Sequence, residues 1–192
     1  MPEETKPASG AQQPRPLHRT LLIAGLSCLS AMLIAAGFLW VQRARRGDLE
    51  TNAVGSCRAY CEAQTMYHRN DFDGDGKLAY AHPYTEVLKQ ADMGSPICLI
   101  DGAFASDAVL PSPESVPRSG YLFQDMQTLG GKPIDWISDF ALCATPARYG
   151  KTGYRTFIIK TDGTTWGRDL GRSQFVSDFP ADPAAAGWRI AE

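Results

Sequence analysis

The residues with the clearest chemical pattern form a short acidic loop. Residues 70–78 read Asn-Asp-Phe-Asp-Gly-Asp-Gly-Lys-Leu. Asp71, Asp73 and Asp75 stand at positions 1, 3 and 5 of a calcium loop. Gly76 stands at position 6, Lys77 at position 7 and the apolar Leu78 at position 8. Alternate side chains of a tight loop point at one centre, and hard carboxylate oxygens suit Ca²⁺. Lys77 would contribute its backbone carbonyl. Position 12, where a bidentate Glu belongs, holds His82, and an imidazole nitrogen is a poor calcium ligand. Glu86 would replace it if a helix starts after Pro83. The expected metal set is therefore Asp71, Asp73, Asp75, Lys77 and Glu86, binding Ca²⁺ in a structural role. The alternative is a glycine-rich turn with solvated carboxylates.

Cysteines offer a second chemistry. Cys57, Cys61, Cys98 and Cys143 are an even set, which suits two disulfides in an oxidising compartment with three possible pairings. They also fit small buried thiols. Cys57, Cys61 and His68 share a helical face, a spacing that could bind copper or carry redox chemistry. The βαβ pattern that usually holds such a motif is missing. No Gly-x-Ser-x-Gly, zinc-binding helix or phosphate loop occurs, and neither Ser119 nor Asp139 has a visible base beside it. The expectation is a protein without catalytic residues. Trp136, Tyr149, Tyr154 and Trp166 suit either a binding surface or a core. A net charge of −2 argues against nucleic acid as a partner.

These residues need elements to place them. Residues 1–20 are Pro-rich and poor in large apolar side chains, which predicts a disordered tail. Residues 21–41 carry no charge. At 1.5 Å per residue a helix of that length spans about 31 Å, close to the hydrocarbon thickness of a bilayer. That predicts a transmembrane helix, with the lipid bilayer as partner. Residues 48–68 lack proline and repeat apolar residues at three- and four-residue spacing. They predict an amphipathic helix whose inner face carries Val54, Cys57 or Arg58, Cys61 and Thr65 or Met66, extended by Ala53, Tyr60, Ala63 and Tyr67. A short helix is expected over 84–90. Strands are expected over 121–127, 140–144 and 154–160, with a hairpin at Asp162-Gly163. Three or four antiparallel strands need a cover, and the amphipathic helix is the candidate.

Two segments carry resemblances. Arg43 to Arg46, Glu50, Asn52, Ala53, Val54, Ser56, Arg58, Ala63, Gln64 and Tyr67 resemble the helix of type IV pilins and type II secretion pseudopilins. The resemblance implies an α+β fold, a long N-terminal transmembrane helix continuing into an amphipathic helix packed on a small antiparallel sheet. It further implies a domain over 42–192 outside the cytoplasm, single-pass anchorage in the inner membrane, and other pilin-like or secretion subunits as partners. One departure stands out: the run after Thr20 has neither the Gly-aromatic processing site nor the Glu of prepilins. Residues 73–81, 120–123, 140–153, 157–163 and 169–171 resemble a second, uncharacterised bacterial family of exported proteins. Its words are DGDGxxxYA, GYxF, FALxAxPAxYGx[ST]G, FIxxxDG and DLG.

The functional expectation is a membrane-anchored, non-catalytic pilin-like protein with a structural or interaction role in a secretion, pilus or adhesion system. The alternative is an exported small ligand- or calcium-binding sensor domain. An anchored redox or copper-binding protein ranks third.

Overall fold

Helix α1 (Leu17–Asn70) precedes eight strands. They are β1 (Tyr121–Asp125), β2 (Thr128–Leu129), β3 (Lys132–Pro133), β4 (Ala141–Pro146), β5 (Arg155–Lys160), β6 (Trp166–Asp169), β7 (Asp178–Phe179) and β8 (Arg189–Ile190). This computed structural model describes residues 17–71, 76–82 and 117–192, with side chains from residue 32 onward. The chain divides into two units, Met1–Arg43 and Ala44–Glu192.

In the first unit, Met32, Leu33, Ile34, Phe38, Leu39 and Trp40 are exposed. Among the described residues no helix is long and apolar enough to cross a membrane. The span expected over 21–41 overlaps the described side chains only from residue 32. From residue 32 onward, any stretch of about 18 residues takes in Arg43, Arg45, Arg46 and Asp48, and each charge is costly inside hydrocarbon. This overturns the transmembrane-helix form of the pilin-like α+β fold and the single-pass inner-membrane location. The helix begins at Leu17, within the stretch expected as a tail. Residues 1–16, the expected helix over 84–90 and Glu86 lie outside the described residues.

In the second unit, five antiparallel strands form one sheet in the order β1-β4-β5-β6-β8. A second sheet, β3-β2-β7, adds a layer that the sequence does not announce. Its β2–β3 hairpin turns through Gly130-Gly131, both at positive φ (57° and 77°). Such a two-residue turn needs positive φ at both positions. The central strands explain the layering. All six residues of β4 are buried, as are four of the six in β5. A strand buried on both faces reads as a continuous apolar run and needs a cover on each side.

Leu142, Ala144, Phe157 and Ile159 face the helix and pack with Ala53, Val54, Cys57, Tyr60, Ala63 and Tyr67. Ala141, Cys143 and Ile158 face the other way and pack with Met126, Ile134, Phe179 and Trp188. Each large apolar side chain so buried contributes about 1.5–3 kcal/mol. The helix face differs slightly from the expected one. Cys61 is half-buried and Met66 exposed, while Gln64 is fully buried. The helix ends with His68 and Arg69 in its last turn, where cations favour the dipole. Asp71 follows in the left-handed region, at φ 42°.

Candidate functional site

The polar groups with the most developed geometry lie where the end of α1 meets residues 80–82 and the sheet. Tyr60, Gln64 and His68 repeat every four residues, so they stack along one helix face. Gln64 sits in that apolar stripe with 0% exposure. Its amide imitates a strand toward Ala81. Gln64 Nε2 donates to Ala81 O at 2.9 Å, and Ala81 N donates to Gln64 Oε1 at 2.9 Å. Gln64 Nε2 also donates to the Tyr60 hydroxyl at 2.6 Å, and that hydroxyl donates to Asp125 Oδ1 at 2.9 Å. Asp125, at the end of β1, holds His82 through Oδ2 and Nδ1 at 3.3 Å. The His82 ring stacks on Trp136 with centroids 3.9 Å apart. Tyr80 N donates to Trp136 O at 2.6 Å, and the Tyr80 ring stacks on His68 at 4.3 Å. His68 Nε2 lies 3.0 Å from Ile137 O.

An Asp–His pair of this kind orients an imidazole and selects its tautomer, the arrangement used by general bases and metal-binding histidines. Here the carboxylate also accepts from Tyr60, and the ring is stacked. The pair therefore closes a chain of hydrogen bonds running from the helix through Gln64 and Tyr60 to β1. Its signal in the sequence is a lone Gln on an apolar helical stripe, four residues after Tyr60.

A second clasp holds the other end of the packed helix. Arg46 Nη1 donates to Gly150 O at 2.7 Å and to the Tyr154 hydroxyl at 2.6 Å, with its guanidinium 5.0 Å from the Tyr154 ring centroid. Glu50, one turn on, accepts from Tyr154 N and Arg155 N and pairs with Arg155 Nε at 2.8 Å. Arg46, part of the Arg43–Arg46 run in the pilin-like resemblance, is thus a side chain that binds the 149–155 loop.

Among the described residues no cysteines pair. Cys57, Cys61 and Cys143 are free thiols, and Cys98 lies outside the described residues. This corrects the expected disulfides. Cys57 belongs to the helix-side core and Cys143 to the core beyond β4. Burial pushes the Cys143 thiol up to about 12, against a hydrogen bond from Val176 N that lowers it. Burial likewise raises Cys57, with the nearby Cys143 adding to it. Cys61 is raised by burial first, then by the carboxylates of Asp162 and Glu62. Raised values leave little thiolate, the nucleophilic form. Alkylation of the native chain, followed by peptide mapping, should therefore label Cys61 slowly up to about pH 9 and accelerate only above the range of an ordinary thiol. Cys57 and Cys143 should label only after unfolding. Rapid labelling of Cys57 at neutral pH would contradict the burial described.

Of the expected calcium set, Asp73, Asp75 and Glu86 lie outside the described residues. Asp71 and Lys77 are described. Asp71 Oδ2 accepts from Gly76 N at 3.2 Å, while Asp71 Oδ1 is buried and, among the described residues, has no hydrogen-bond partner. Gly76 has φ 79°. His82 is turned toward Asp125, which removes it from position 12 of the loop. Among the described residues no group of three or more His, Cys, Asp or Glu side chains is placed to hold a metal. The aromatics separate. Tyr149 donates to Asp169 and meets Tyr154 edge-on, Trp136 stacks on His82, and Trp166 is half-buried beside the second core. Ser119 has φ 48° and sits in the turn before β1.

Residues 131–179 match a family described as a protein of unknown function (DUF2950). The matched stretch contains β3 to β7, including both central strands. No curated protein and no solved structure matches the chain.

Proposed function

We propose that the second unit is a non-catalytic module that acts by binding or by structural contact. The observation that supports this reading is the use made of the His82–Asp125 pair. Among the described residues it is the pair best arranged for acid–base chemistry, and it is built into the clasp between α1 and the sheet. The raised thiols and the Arg46–Glu50 clasp point the same way: side chains that could react instead join the helix to the strands.

The test is stability. His82→Ala loses the bond to Asp125 and the stacking on Trp136, and Asp125→Asn loses the carboxylate that His82 faces, each worth about 1 kcal/mol where the imidazole is half-exposed. For a chain of this size that lowers Tm by about 2–4 °C. An unchanged Tm in both variants would remove the clasp role and leave the pair free for chemistry.

A calcium-binding reading is favoured by one observation, the buried Asp71 Oδ1, which has no hydrogen-bond partner among the described residues. A buried carboxylate oxygen without a partner is costly, and a cation would offset that cost. On this reading, calcium at about one hundred times its Kd stabilises the chain by about 2.7 kcal/mol. Asp71→Asn abolishes the gain. A Tm that does not move with millimolar calcium rejects the reading.

A further inference from the structure

Beyond the helix clasp, a cleft of about 290 Å³ opens between the β2–β3 hairpin, the β5–β6 turn and the segment after β7. Asp139, Lys160, Asp162, Trp166, Phe179 and Pro183 line it. Its size is at the small end of ligand sites, and its composition fits one: apolar walls with a few convergent polar groups. The walls are aromatic and proline surfaces. The polar groups are two carboxylates and one ammonium.

How those charges are already paired narrows the ligand. Lys160 Nζ lies 3.4 Å from Asp162 Oδ2 and 5.7 Å from the Phe179 ring centroid. The negative charge of Asp162 and the π-face of Phe179 are thus taken by a tethered cation. A cationic ligand would have to displace it. Asp139 Oδ1 accepts from Thr161 Oγ1 at 2.7 Å. Among the described residues its second oxygen has no such bond, and neither do the remaining protons of Lys160. What is left on offer is one carboxylate acceptor, ammonium donors and an apolar wall at Trp166. A neutral polyhydroxyl compound uses all three. Its hydroxyls donate to Asp139 and accept from Lys160, and its C–H face packs on the indole.

We infer that this cleft is a binding site for a neutral, monosaccharide-sized polyol, with Asp139, Lys160 and Trp166 as its contacts. The inference rests on the reading of the unit as a module that binds without catalysis. All five of the charged and aromatic lining residues fall within the stretch matched by the family, 131–179.

The experiment is an NMR titration of the full chain with D-glucose, D-galactose, D-mannose and N-acetylglucosamine, and separately with choline chloride. The Trp166 indole N–H and the ligand signals are both followed. A saturable shift of Trp166 with at least one sugar and none with choline is expected. Asp139→Ala should weaken that sugar by about tenfold, the loss of one hydrogen bond to a charged group. Thr161→Val removes the Thr161–Asp139 bond but keeps the carboxylate, and should change affinity by less than about threefold. Equal losses in the two variants would overturn direct contact by Asp139. Saturation by choline alone, or by none of the probes, would overturn the polyol site while leaving the non-catalytic reading intact. Conversion of the sugar signals would overturn that reading and leave the site standing.

Discussion

Gly153→Ala is expected to destabilise the second unit by about 3 kcal/mol, at the upper end of what overpacking a core costs. A Cβ at this position would fall on the Tyr121 hydroxyl oxygen and within 2.8 Å of the ring carbon that bears it. Tyr121 has nowhere to retreat. It is 0% exposed, its hydroxyl donates to Arg155 O at 2.9 Å, and its ring lies 5.6 Å from that of Phe157. Gly153 is there so that the 149–155 loop can lie against β1 and offer its backbone to Arg46 and Glu50. Urea denaturation reads the effect. Gly55→Ala is the control: its Cβ meets nothing within 4 Å on an exposed helix position, and it should stabilise by about 0.5–1 kcal/mol. Tyr121→Phe combined with Gly153→Ala should recover part of the loss, because the two sites touch and their effects are not additive. If Gly153→Ala is as harmless as Gly55→Ala, the close approach of loop and strand is wrong.

Gln64→Leu should cost about 2–4 kcal/mol, although it replaces a polar residue by an apolar one inside an apolar stripe. Shape and hydrophobicity favour the change. Hydrogen bonding decides against it. The substitution leaves Ala81 N, Ala81 O and the Tyr60 hydroxyl each without one partner in a buried place. A buried polar group left unpaired costs about 1–3 kcal/mol. Gln64→Glu keeps the acceptor for Ala81 N and loses both donors, so it should also destabilise. Hydrogen exchange provides a local readout: in Gln64→Leu the Ala81 amide should lose protection while the amides of β4 and β5 keep theirs. A change below about 0.5 kcal/mol would mean that the Gln64 network adds nothing to the core.

Much of the architecture of the second unit can be read along the chain. The strands expected over 121–127, 140–144 and 154–160 correspond to Tyr121–Asp125, Ala141–Pro146 and Arg155–Lys160. The Asp162-Gly163 turn declares itself by composition, and Gly163 has φ 75°. Ala53, Val54, Cys57, Tyr60, Ala63 and Tyr67 repeat at helical spacing because a helix on a sheet must bury one stripe. These are local signals, set by residue type and period. The expected membrane helix rested on the same kind of signal, a run without charge. Among the described residues α1 brings Arg43, Arg45, Arg46, Asp48 and Glu50 into one helix with that run.

The site depends on long-range contacts. Gln64 meets Ala81, and Tyr60 meets Asp125 across 65 residues of chain. Arg46 reaches Gly150 and Tyr154, more than a hundred residues away. No period or spacing encodes such pairs, since each is chosen by which strand neighbours which and by the register between them. The same holds for the cysteines. Their even number permits disulfides, but the alternation of β4 sends Cys143 to the face opposite the helix that carries Cys57. The sequence by itself determined an apolar helical stripe and the buried strands. Only the tertiary structure decided that His82 turns to Asp125, that the thiols stay apart, and that Asp139, Lys160 and Trp166 share a cleft. The physical reason is that helices and strands follow from short-range sterics and burial, whereas a site is made where distant segments satisfy one another's polar groups.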